Sequence, residues 1–167
     1  VAVAIAGQLP VGVYTVLATY GGNDQFAGSA ASATTLVVNK QASATTLTST
    51  RNPIFVDGGL SFRVEVGRQR VADIGIQDAA YPTGTITLTD PTGAISLTGE
   101  LDQGAVDLTP LTVVEGTYNV VAAYGGDSRF EPSVSTLLVQ VVKRHQTAAT
   151  LSLASLLALV GDPVVFT

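Results

Sequence analysis

His145 is the only imidazole in this chain of 167 residues, and cysteine is absent altogether. A hydroxyl nucleophile needs a neighbouring base, and His145 lies in the connecting stretch VVKRHQTAA, where a solvated residue is expected rather than a base. Zinc would need three or four nitrogen or sulfur ligands, which one His and no Cys cannot supply. The paired glycines Gly21-Gly22 and Gly125-Gly126 fit no phosphate-binding pattern and read as turn residues. The 13 acidic residues could furnish a carboxylate pair for glycoside hydrolysis, but Trp is missing and only 6% of residues are aromatic, so no sugar platform accompanies them. Lys40 and Lys143, the lysines available for a Lys–Asn crosslink, lie in connectors. The expectation is a protein that is not an enzyme and holds no organic cofactor.

The surroundings of these residues point the same way. The chain is 46% hydrophobic and only 13% charged, with 17 Gly and abundant Thr, Val and Ala. Such a chain has ample aliphatic surface to bury and is too poor in charge for disorder. A net charge of −5 and eight scattered basic residues disfavour nucleic acid, whose binding depends on clustered Lys and Arg. The most apolar run, 151–160, is far shorter than the roughly 20 residues of a membrane helix, so no membrane span is expected. Absence of Cys suits a bacterial exported protein, which often dispenses with disulfides.

The chain is internally repetitive. GVYTVLATYGGNDQF from Gly12 returns as GTYNVVAAYGGDSRF from Gly116, and ATTLTST from Ala44 resembles AATLSLA from Ala148. Both matches share an offset of 104 residues, which predicts a tandem array. Residues 1–39 then read as the C-terminal part of one repeat (strands E, F and G), 40–142 as a complete repeat, and 143–167 as the start of a third (strands A and B). With both ends inside a repeat and no Met at Val1, the chain is expected to be an interior piece of a longer protein.

Within the complete repeat, strand signals recur every eight to twelve residues or so. Leu60, Phe62, Val64 and Val66 alternate with Ser61, Arg63 and Glu65; Ile86 and Leu88 alternate with Thr85, Thr87 and Thr89. Further strands are expected near Thr45, at Ile95–Leu97 after a DPTG turn, from Ala105, from Gly116, and last over 134–142. The side chains expected in the core are Phe62, Val64, Ile86, Leu88, Leu108, Tyr118, Val120 and Ala122. No stretch sustains a helical period. The class is all-β.

Three segments, ATTLTSTRNPIFVDGGLSFRVEV, PTGTITLTD and GTYNVVAAYGGDSRFEPSVSTLLVQV, resemble in order and spacing the bacterial Ig-like repeat domains strung along surface and secreted proteins. The resemblance implies a seven-stranded antiparallel β-sandwich serving as a spacer, adhesive or accessory module. Tyr118 and Tyr14 then stand where such sandwiches place a tyrosine corner, and Val120 and Val16 replace the disulfide cysteine of antibody domains. The segment 67–81 (GRQRVADIGIQDAAY) is longer than the usual B–C connection, and any specialised function is expected there.

In an Ig-like sandwich the B–C and F–G loops share the end where strand A begins. That end would gather Asp73 and Asp78 with Asp127 and Glu131, a set of hard oxygens that could suit calcium. The alternative is a solvated acidic rim paired with Arg68, Arg70 and Arg129. Thr85, Thr87, Thr89, Thr117, Asn119 and Val121 would face outward on the C–F–G sheet, echoed by Leu17 in the first copy, as a flat uncharged face open to another molecule or as ordinary Thr-rich surface. The connectors at 38–44 and 142–148 lack Gly and Pro, which favours a semi-rigid rod. The leading expectation is a structural spacer at a bacterial surface or outside the cell. Its rivals are a module binding a glycan or protein partner through 67–81 or the C–F–G face, and an accessory region of a secreted enzyme. Expected partners are neighbouring repeats, further copies of the chain, or a surface ligand.

Overall fold

The computed structural model describes residues 9–69, 80–152 and 159–161, and all regular structure in them is strand. Two short ribbons come first: β1 (Gly12–Val16) pairs antiparallel with β4 (Thr34–Val38), and β2 (Thr19–Tyr20) with β3 (Ser29–Ala30). A two-sheet sandwich follows. Its smaller sheet joins β5 (Ser43–Ser49), β7 (Phe62–Arg68) and β10 (Ala105–Leu108) in the order β10-β7-β5. The larger runs β6-β13-β11-β8-β9, from β6 (Ile54–Phe55), β13 (Leu138–Lys143), β11 (Gly116–Tyr124), β8 (Thr85–Thr89) and β9 (Ser96–Glu100). The short β12 (Ser133–Val134) extends β13's side of β11.

Strict alternation explains which faces meet. Phe62, Val64 and Val66 of β7 point toward Ile86 and Leu88 of β8 and Tyr118, Val120, Ala122 and Tyr124 of β11, and all are buried. Each large aliphatic or aromatic side chain so covered stabilises the fold by about 1.5–3 kcal/mol before chain entropy is subtracted. All eight core positions expected from the alternation are buried, Phe62, Val64, Ile86, Leu88, Val120 and Ala122 completely. Phe130 closes the end where strand A begins.

Ser96–Glu100 pairs with β8, because the tight turn at Asp90 folds it back in register, Leu88 facing Leu97. Two details differ from the expected strand plan. The last strand is interrupted after Val134: Ser135 turns its Oγ onto the Ala122 N–H, replacing a backbone rung. Ile54–Phe55 forms an unforeseen strand, parallel to the end of β13.

Residues 12–38 and 116–142 have matching registers. Gly12 faces Val38 as Gly116 faces Val142, and Thr19 faces Ala30 as Ala123 faces Val134. The tyrosine corner is present in both, with Tyr14 Oη donating to Pro10 O at 2.7 Å and Tyr118 Oη to Val114 O at 2.8 Å. Surroundings separate the two segments: Phe26 is 64% exposed where Phe130 is 1% exposed.

Candidate functional site

Asp127 organises the acidic end. Its Oδ1 accepts from the Arg129 and Phe130 N–H groups, both at 2.7 Å, and its Oδ2 accepts from the Thr83 N–H and hydroxyl at 2.9 and 3.0 Å. Partial burial alone would raise this carboxyl, but these donors outweigh it and hold the group below the usual carboxylate range. The same carboxylate, after burial itself, pushes the Tyr124 phenol up to about 12. Asp127 therefore ties the F–G turn to the start of β8. Glu131 is exposed, and its backbone N–H and C=O bond to Gln41 O and Ser43 Oγ. Asp73, Asp78 and Arg70 lie outside the described residues, so the four acids are not seen together. Among the described residues no three His, Cys, Asp or Glu side chains converge.

The outer faces of the two sheets differ. On the smaller sheet Arg63 holds Glu65 and Asp107, each at 2.9 Å. On the larger one Thr85, Thr87, Thr89, Thr117 and Asn119 are exposed as expected, while Val121 is half-buried. Leu17 lies just past β1 and is 60% exposed. A shallow depression of about 730 Å³ sits against the charged face, with Arg63, Glu65, Arg68, Tyr81 and Gly104 among its walls. Only the ends of 67–81 are described, and there Arg68 reaches Ala80 O at 3.4 Å.

Both connectors are docked. Ahead of β5, Gln41 N–H donates to Arg129 O and Glu131 N–H donates to Gln41 O, both at 2.8 Å, so the entering chain pairs with the F–G turn. At the end of β13, Val56 N–H donates to Lys143 O at 3.0 Å, and just past it Arg144 meets Glu115 at 3.2 Å. His145 stacks on Phe55, ring centroids 4.2 Å apart and planes within 13°, and its Nε2 lies 2.9 Å from Asp57 Oδ1. That contact, more than anything else, draws the Asp57 carboxyl below its ordinary range. His145 is thus not simply a solvated connector residue. A histidine two residues past a strand carries no signal of this role, because its partners stand about 90 positions earlier in the chain.

The edge of β13 was another silent feature. Asn52 lends its side-chain amide to Val139 O and accepts the Val141 N–H at 3.0 Å, standing in for a neighbouring strand.

A two-sheet sandwich with a tyrosine corner is the architecture of an Ig-like domain. The family profile of the bacterial Ig-like domain (group 3) matches residues 47–143, more than half of the chain, and the chain belongs to that family. No curated protein and no solved structure matches it. Membership points to a module of a bacterial surface protein. No helix among the described residues is long and apolar enough to cross a membrane.

Proposed function

We propose that this chain is a structural spacer, part of a tandem array that holds other domains away from a bacterial surface. In this reading the units are 1–39, 40–142 and 143–167, and each sandwich resists extension while each junction resists bending. The observation that carries it is the docking of both connectors, Gln41 onto the F–G turn and Lys143–His145 onto the Ile54–Asp57 loop. A passive, flexible tether would have no reason to place backbone hydrogen bonds and a ring stack at its two hinges. The matching registers of 12–38 and 116–142, at one offset, support the array.

The chain has no cysteine, so spin labels can be placed cleanly. With Ser32→Cys and Ala94→Cys, both exposed positions, the interlabel distance distribution should be narrow. Inserting Gly-Gly-Ser after Asn39 should broaden it. A distribution that is already broad without the insertion would remove the rod from consideration and leave the partner-binding reading, with the depression beside Arg63 and Tyr81 as its place.

A further inference from the structure

The outer face of the larger sheet has a charge pattern that the smaller sheet lacks. Over its five main strands, the outward side chains include only two ionisable groups, Glu100 and Lys143. Glu100 ends the edge strand β9, opposite Thr85; Lys143 ends β13, opposite Phe55, at the other end of the strands and near the other edge. The two charges therefore occupy diagonal corners. Neither makes an ion pair among the described residues, although Thr85 donates to Glu100 Oε1 at 2.6 Å. His145 and Asp57, just past the end of β13, already satisfy each other. Between the corners lie the threonines of β8 and an aliphatic strip, in which Val134 and Val139 are 63% and 45% exposed.

We propose that this face is a self-association surface, and that its occupant is the same face of a second copy of this chain. A two-fold axis lying in the interface between the diagonal corners exchanges them. Each Lys143 then meets Glu100 of the second copy, twice per dimer, while threonine and valine cover the centre without burying a charge. The smaller sheet is unsuited to such packing, because Arg63, Glu65 and Asp107 would have to be desolvated at its middle. Asn52 occupies backbone groups along the β13 edge, which opposes strand addition there. The residues of 12–38 that correspond to this face, Val13, Leu17 and Val37 among them, are also uncharged and exposed. Five strands about 4.8 Å apart make a small interface, so a single domain should dimerise weakly, with Kd in the micromolar range. Repetition along two chains would multiply that affinity. The inference stands on the face alone and does not require the spacer reading.

Sedimentation velocity on the whole 167-residue chain, from about 1 to 500 μM at low salt, should show a reversible monomer–dimer equilibrium. Glu100→Lys and Lys143→Glu should each weaken it roughly tenfold by facing like charges. Mixing the two variants, or combining both changes in one chain, should restore it, because every pair is then again opposite in sign. Val139→Lys should abolish dimers while leaving the melting temperature near that of the parent. A chain that stays monomeric throughout overturns the proposal. So does a dimer indifferent to the charge exchange, which would place the contact elsewhere, for example on the exposed aromatic Phe26.

Discussion

At the scale of single residues, Asp127 and Asn23 make an informative pair. Asn23 Oδ1 accepts from the N–H groups of Gln25 and Phe26, the same turn that Asp127 Oδ1 closes onto Arg129 and Phe130. Asparagine therefore suffices for the turn, and it is the second oxygen of Asp127 that accepts the bonds from Thr83. Asp127→Asn should cost about 1–2 kcal/mol and Asp127→Ala about 2–3 kcal/mol in urea unfolding, since only the latter loses all four bonds. The acid limb gives a second measure. The native carboxyl is held below its ordinary range, so its contribution is complete above the unfolded value, near pH 4, and is lost as acid titrates the native group. Stability of the Asn variant should fall less steeply below pH 4. Equal acid slopes would show that another carboxylate sets that limb. The importance of Asp127 was legible as an acid in an F–G loop. Its role was not, because Thr83 lies 44 residues away in the chain.

Elements were legible where one face is fully buried and the chain alternates without interruption. Phe62–Arg68, Thr85–Thr89 and Gly116–Tyr124 lie where the β-branched periodicity puts them, since a one-residue slip would expose Phe62, Ile86 or Val120. Val120→Asp should abolish folding, as an unpaired buried carboxylate costs several kcal/mol, comparable with the whole stability of a small domain. A wild-type melting curve would contradict the observed face. The element that alternation missed, β6, depends on a partner remote in sequence, since it pairs with the end of β13. In β9, Gly99 lies close against the other sheet. A Cβ there would lie 2.7 Å from Leu108 Cδ2 and 2.9 Å from Val106 Cγ2. Gly99→Ala should destabilise by about 1–3 kcal/mol through overpacking. Ser135→Ala should cost about 1–3 kcal/mol by stranding the buried Ala122 N–H. Calorimetry on both variants, with Thr98→Ala as an exposed control, distinguishes these losses from a general sensitivity of the sheet.

For the whole molecule the question is what fixes the connector where the chain leaves the sandwich. The offset between the YGG segments was visible in the sequence, but the stiffness of a junction is a property of contacts that short connectors only suggest. At the exit of the sandwich three contacts act together: Val56 N–H to Lys143 O, Arg144 with Glu115, and His145 on Phe55 and Asp57. The Asp57 carboxyl is lowered chiefly by its bond to His145, so it keeps its charge well into acid. Asp57→Asn removes that charge while keeping the ring stack and the backbone bond, and Phe55→Ala removes the stack. Backbone amide relaxation of residues 143–147 should show a connector loosened modestly by Asp57→Asn and more by Phe55→Ala. Gln41, the residue at the corresponding place in the entering connector, is held instead by the F–G turn, so the amides around it should relax alike in all three proteins. Equal relaxation of 143–147 in the parent and in Asp57→Asn would mean that the Asp57 contact does not hold the connector, leaving its stiffness to the hydrogen bond at Lys143 and the ring of Phe55.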